Sequence, residues 1–258
     1  MSTDRPTERI AAARGAEAGD PAVPRHPDVA LWRTATADDI DAIHAVMVAA
    51  DKVDHPTWTT PRADVVDSFD LPHITHERDT IIGWDADRRP VAFGSAFRHP
   101  AREGIQTVHL FGAVLPELWR RGIGAQVLEW LVARGLQQLA EVAPTLHALP
   151  AGESWTAELK AFSDEANVGI PALAERFGFT AERWFTTMLR DLIGVVRDQR
   201  RRGLAPPVIS ATLQAIAAAG LEKAVLDVDT ASPTGANTLY EGLGFAAAER
   251  SIAFVRHV

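Results

Sequence analysis

Hydrophobic positions change their period several times along this chain. Ala30 to Thr34 fits a short strand, and Ile40, Ile43 and Met47 then recur three and four residues apart, as one face of a helix does. Thr36-Ala37-Asp38-Asp39, just before them, has the form of a helix start. Prolines and aspartates interrupt the pattern between Asp54 and Pro72, leaving room for a short helix near Ala63 to Phe69. Thr80–Trp84 and Val91–Phe97 read as strands of an antiparallel hairpin, joined by the polar turn Asp85-Ala86-Asp87-Arg88-Arg89. Gln106–Val114 is another strand. The period then returns to helical, with Leu128, Val132, Leu136 and Leu139 predicting a helix with one face buried against a sheet.

Trp155–Phe162 follows as a strand, Pro171–Phe177 as a short helix and Arg183–Leu189 as a closing strand, so residues 29–191 read as one complete α/β domain. Residues 1–28 are rich in Ala, Pro, Arg, Asp and Glu without the apolar run of a signal peptide, and read as a flexible tail. A shorter series begins at Leu192. It comprises a strand over Leu192–Val196 and a helix over Val208–Ala219 with Ile209, Leu213 and Ile216 on one face. Gly220 follows as its C-terminal cap. A strand over Lys223–Asp229, a helix over Thr234–Gly242 and a strand over Ala246–Arg256 complete it. Nothing there matches the opening helices and hairpin, and Asp191 passes to Leu192 with no linker. Residues 192–258 are therefore expected to be the C-terminal half of a second domain whose front half is absent or lies outside this sequence.

A glycine turn occurs twice, as Trp119-Arg120-Arg121-Gly122-Ile123-Gly124 and as Arg200-Arg201-Arg202-Gly203-Leu204-Ala205, each time opening an amphipathic helix. A second landmark follows each in the same order, Glu175-Arg176-Phe177-Gly178-Phe179 and Glu241-Gly242-Leu243-Gly244-Phe245. Ordered landmarks repeated in this way point to duplication. A turn between strand and helix without a Cβ lets successive backbone N–H groups face an anion, and the helix N-terminus adds favourable charge. Arginines beside it supply forked donors. The residues expected to bind the ligand or cofactor are Val114, Arg120, Arg121, Gly122, Ile123, Gly124 and Ala125 in the first copy. In the second they are Val196, Arg200, Arg201, Arg202, Gly203, Leu204 and Ala205. Pro206 and Pro207 remove N–H donors from the second turn, which leaves it more dependent on its arginines. Neither turn completes a dinucleotide fingerprint, and no Gly-x-x-x-x-Gly-Lys-Ser/Thr loop is present.

Composition narrows the partners. The 258 residues are 47% hydrophobic, enough for a substantial core. The absence of cysteine excludes disulfides, thiolate metal sites and cysteine nucleophiles. A formal charge of -8 argues against a nucleic-acid surface, so a basic cluster in an acidic chain is best explained by a phosphorylated ligand. No stretch approaches the roughly 20 apolar residues that cross a bilayer. A cytoplasmic protein acting on a small molecule is expected.

The turn, the following strand, and Asn237-Thr238-Leu239-Tyr240-Glu241-Gly242-Leu243-Gly244-Phe245 together resemble the GNAT superfamily of acyl-CoA-dependent N-acyltransferases. The tandem arrangement is similar to that of mycothiol synthases and related actinobacterial two-domain acetyltransferases. The resemblance implies an α/β fold, with a mixed, mostly antiparallel sheet flanked by helices and duplicated. It also implies acetyl-CoA as the acyl donor, with its pyrophosphate on the turn and its pantetheine in an opening between two splayed central strands. A primary amine of a small molecule would then attack the thioester directly. It further implies that the hydroxyl of Tyr240, the only tyrosine, acts as general acid toward the departing thiolate. The first copy departs from the pattern, with Trp119 at the head of its turn and Ala174 in the position of Tyr240. A CoA-binding or regulatory module without turnover is the alternative. Glu103, His109 and Asp164 are candidate bases for the first domain, and Ser163, Asp164 or Glu165 could stand in for the missing acid. His73-x-x-His76, expected in a loop after Pro72, lacks a clear third metal ligand. The acceptor amine is open.

Overall fold

The computed structural model describes residues 21–55, 58–98, 104–146, 155–167, 169–191, 205–231 and 236–258. These fall into two compact units. The first takes in the chain to Phe162, together with Gly169–Thr180 and Phe254–Val258, and the second comprises Ser163–Val168 and Ala181–Ala253.

In the first unit β1 (Leu31–Arg33) leads into a helical start held by a side-chain box. The Asp39 carboxylate accepts both terminal nitrogens of Arg33, each at 2.6 Å, and the Thr36 N–H at 2.9 Å. A turn of 3₁₀ helix then passes into α1 (Ile40–Asp54), followed by α2 (Arg62–Phe69) and the single turn α3 (His76–Asp79). The expected loop at His76 is thus a helical turn, because Thr75 opens it and the Asp79 carboxylate accepts the Thr75 N–H at 2.8 Å. The His76 ring stacks on Phe69 with centroids 3.7 Å apart, and burial pushes its pKa down. Ile43, Val65, Ile82, Phe93 and Ala35 form the core beneath these helices.

β2 (Thr80–Trp84) and β3 (Pro90–Arg98) form the expected antiparallel hairpin, its turn closed by Asp85 accepting the N–H groups of Asp87 and Arg89. β3 pairs antiparallel with β4 (Ile105–Val114), and β4 pairs parallel with β5 (Thr156–Asp164). Parallel neighbours need a crossover, which here is the 24-residue helix α4 (Ile123–Leu146). It rests tightly on the sheet: a Cβ on Gly94 would lie 2.9 Å from Val127. Arg134 of α4 is buried and paired through Nη2 with Asp79 at 2.8 Å, while Gln138 donates to Asp79 at 2.8 Å and to the Ala96 carbonyl at 2.7 Å. α5 (Gly169–Arg176) also belongs to this unit.

The second unit contains most of β6 (Thr180–Asp191), then α6 (Ala205–Ala218), β7 (Lys223–Asp229), α7 (Ala236–Gly242) and most of β8 (Ala246–His257). β6 and β7 pair antiparallel from Phe185↔Asp229 to Asp191↔Lys223. Met188, Leu213, Val228, Leu243 and Phe245 form its core. Gly220 closes α6 at φ +82°, as a left-handed cap requires. The strand expected at Leu192–Val196 lies outside the described residues, as do the first two residues of the helix expected from Thr234.

The last residues of β8, Phe254–Val258, belong to the first unit. Within the first unit the Val258 N–H donates to Ala157 of β5 at 3.0 Å, and the Thr180 hydroxyl donates to the Val255 carbonyl at 3.2 Å. The two landmark segments also close in the same way. Phe179 N–H returns to the Ala174 carbonyl at 3.1 Å, with Gly178 at φ +79°, and Phe245 N–H returns to the Tyr240 carbonyl at 3.0 Å, with Gly244 at φ +87°. Among the described residues no helix is long and apolar enough to cross a membrane.

The hydrogen bonds and charge of Arg33, with further bonds from Thr36, hold the Asp39 carboxyl below the usual carboxylate range despite its burial. The pair is half open on the Arg33 side, so Asp39→Asn is expected to cost about 1–2 kcal/mol at neutral pH. A lowered acid pKa stabilises above the unfolded carboxylate value, roughly 4, and that contribution fades as pH falls through the folded value. Urea melts should therefore show the wild-type advantage at pH 7 shrinking at pH 3.

Candidate functional site

β4 ends at Val114, and the chain turns through Pro116–Leu118 before entering α4 at Ile123. Trp119, at the head of the turn, donates its indole N–H to the Val114 carbonyl at 2.6 Å and so ties the turn to the strand end. Arg120 adopts φ +62° and Gly122 φ +99°, two left-handed residues flanking Arg121. Arg120 pays a steric cost there that Gly122 does not. Ile123 is fully buried and anchors the helix start, while the Gln126 N–H makes the first helical bond, 3.2 Å to the Gly122 carbonyl. The N–H groups of Ile123, Gly124 and Ala125 precede any intrahelical partner. A Cβ on Gly124 would lie 3.9 Å from Leu173 and from Val114, so the surface is flat but not crowded. The outcome is a shallow row of amide donors at the positive end of a long helix, suited to an anion.

Arg120 and Arg121 are both exposed. Arg121 donates to Asp28 at 3.1 Å, so its guanidinium is engaged by the N-terminal segment. That segment was expected to belong to the flexible tail ending at residue 28. His26 and the Arg25 carbonyl also contact the turn region, at Arg121 and Gln126 respectively.

The paired register of β4 and β5 ends at His109↔Lys160, while β4 runs on to Val114. The two strands are not paired beyond that point, along the stretch of β4 that leads to the turn. On the sheet face away from Val108 and Leu110, the Phe97 ring stacks on Phe111 at 5.5 Å and on His109 at 5.7 Å, and His109 lies 5.9 Å from Phe162. This aromatic row was missed in the sequence, although His109 and Phe111 alternate on β4 and Phe97 faces His109 across the ladder. Burial works to raise the pKa of Glu158. Its bonds with Lys160 at 2.7 Å and the Thr107 hydroxyl at 2.8 Å outweigh that and hold it low, so it is a settled carboxylate.

Val114 and Trp119–Ala125 are thus brought together in the first unit. Tyr240 belongs to the second unit, where it is half-buried with its ring edge-on to Phe245 at 5.7 Å and packed on the Met188–Phe245 core. Asn237, one turn earlier, has a buried Oδ1 with no partner among the described residues. Val196, Arg200, Arg201, Arg202, Gly203 and Leu204 lie outside the described residues, as does Glu103, and Ala205 is the first residue of α6. Ala174 is buried at 3% exposure. Ser163 and Asp164 are also buried, Asp164 accepting the Ala166 N–H at 2.7 Å, and Glu165 is paired with Arg250 at 3.2 Å.

Residues 43–154, which span this turn, match a family model described as the Acetyltransferase (GNAT) family. Among solved structures, a GCN5-related N-acetyltransferase from Sphaerobacter thermophilus aligns at TM-score 0.65 and 15% identity over 88% of this chain and 95% of that one. An acetyltransferase candidate from Pyrococcus horikoshii aligns at 0.57 and 14% identity over 94% of each chain. The tandem GNAT protein from the clavulanic acid biosynthesis pathway aligns at 0.53 and 13% identity over 88% of this chain and 98% of that one. No curated protein matches the chain. These likenesses show the fold alone: a mixed α/β, GNAT-like fold with a largely antiparallel central sheet flanked by helices.

Gly122→Ala forces a side chain into the left-handed region and is expected to lose roughly 1–2 kcal/mol. Gly124→Ala meets only ordinary van der Waals contacts and is expected to be neutral or slightly stabilising. Urea denaturation of the two variants should separate the strained glycine from the flat one.

Proposed function

We propose that this protein is an acyltransferase that moves an acetyl group from acetyl-CoA to a primary amine of a small molecule by direct attack on the thioester. The observation that carries this reading is the left-handed glycine turn at the end of β4, set at the start of α4 beside the point where β4 and β5 part company. The amides of Gly122, Ile123, Gly124 and Ala125 would receive the pyrophosphate, and the end of β4 at Val114 would run beside the pantetheine. Acetyl-CoA supplies an activated acyl group, so the protein's part is to align it and manage protons. His109, on the open face of β4 at the point where β4 and β5 stop pairing, is the side chain we assign to take the proton from the ammonium.

The second copy, residues 192–258, is read as the C-terminal half of a second domain of the tandem, mycothiol synthase-like kind. The matching helix closures of Ala174–Phe179 and Tyr240–Phe245 support the duplication. By the sequence pattern, Arg200–Ala205 would be the corresponding turn of that copy, with Val196 ahead of it in the chain, and Tyr240 would donate its phenolic proton to the thiolate. A second reading is favoured by Ala174, which puts a buried methyl group where Tyr240 carries a hydroxyl. On that reading the first unit binds CoA without efficient turnover and acts as a CoA-binding or regulatory module.

Isothermal titration with acetyl-CoA is expected to give saturable binding, and its absence would sink the CoA reading. Across a panel of amines, Tyr240→Phe is expected to lower kcat about 100-fold with little change in the acetyl-CoA affinity. Unchanged turnover would remove Tyr240 from the mechanism and favour the binding-module reading of its copy.

A further inference from the structure

The segment Arg25–Asp28 grips the glycine turn at three points. Gln126 donates to the Arg25 carbonyl at 2.7 Å, Arg121 donates to Asp28 at 3.1 Å, and His26 Nε2 lies 2.9 Å from the Arg121 carbonyl. The segment is itself anchored, with the Val29 N–H returning to the His26 carbonyl at 3.0 Å and the Ala30 N–H donating to Trp84 of β2 at 2.8 Å. The His26 side chain is only 8% exposed. Its Nδ1 accepts the Asp28 N–H at 3.2 Å, so the ring proton sits on Nε2 and is donated to Arg121.

That bond fixes more than a carbonyl. The Arg121 C=O and the Gly122 N–H belong to one planar trans peptide and point in opposite directions. Gly122, at φ +99° and without a Cβ, has little intrinsic preference to hold that plane in one orientation. A rotated plane would aim the carbonyl oxygen where a donor is needed, replacing attraction for an anion with repulsion. We infer that His26 is a positioning residue for the acyl-donor site: by holding the Arg121 carbonyl outward, it keeps the Gly122 N–H turned to the opposite side, toward the pyrophosphate. This inference rests on the reading of the turn as the acetyl-CoA site. It gives a role to a segment whose composition suggests only a tail.

Asp28 serves a separable purpose. Its carboxylate holds the Arg121 guanidinium at the surface and lies 3.9 Å from His26 Nδ1, whereas the bond to the carbonyl is made from Nε2. The two residues can therefore be tested against each other.

Titration calorimetry with acetyl-CoA on the full chain provides the test, with thermal melts of each unliganded variant as a check on folding. His26→Ala is expected to weaken binding about tenfold. His26→Gln, whose amide can still donate to the carbonyl, is expected to stay within about threefold of wild type. Asp28→Asn, which leaves the latch intact, should bind as well as wild type or better. Wild-type affinity in His26→Ala would overturn the inference while leaving the CoA reading standing. So would equal losses in His26→Gln and Asp28→Asn, which would mean that the segment acts only by docking. Failure of the wild-type protein to bind acetyl-CoA would instead remove the reading on which the inference rests.

Discussion

The seating of α4 against β3 and β4 governs the rest of the first unit. Its start is pinned by the buried Ile123 and by the link from Trp119 to the last residue of β4, and its middle by the absence of a side chain at Gly94. Farther along, the buried pair of Arg134 with Asp79, joined by Gln138, fixes its rotation about the sheet. Removing one member of such a pair strands a charge in the interior, so the pair specifies an alignment more than it adds net stability. With the helix fixed at its start and again at Arg134 and Gln138, its N-terminal amides are held beside the point where β4 and β5 stop pairing. The geometry of the proposed anion site therefore follows from a packing constraint some distance away.

Charge is arranged around this site with restraint. Arg121, which by sequence is a ready partner for phosphate, is occupied by Asp28, and Arg120 lies exposed in a left-handed conformation. On the proposed reading of the turn, backbone amides would therefore carry the recognition. They are fixed dipoles that lose no side-chain entropy on binding, whereas arginines must be ordered for each contact.

Much of the architecture was legible because it is local. The helix of Ile40, Ile43 and Met47, the hairpin around Asp85–Arg89 and the long helix through Leu128 and Leu139 each announce themselves by their period or turn chemistry. The left-handed glycine at 122 was legible for the same reason, as an interruption between strand and helix. His26 was not, since its role depends on a residue far along the chain and its neighbours resemble tail composition. The aromatic row of Phe97, His109 and Phe111 escaped notice because it forms only when β3 and β4 come into register. The one-turn helix at His76 was obscured by Pro72, whose influence did not reach past Thr75. Nor does any local pattern reveal where β4 and β5 stop pairing, which is the geometric heart of the candidate site.

The placement of the end of β8 beside β5 has a consequence for synthesis. Ala157 receives its hydrogen bond from Val258, the last residue described, so the edge of β5 has no strand to cover it while the intervening chain is being made. Open strand edges invite pairing with other chains, and contacts between distant residues form slowly. The first unit must therefore wait, with its sheet unfinished, until β8 emerges from the ribosome. Its need for protection from other nascent chains is greatest in that interval.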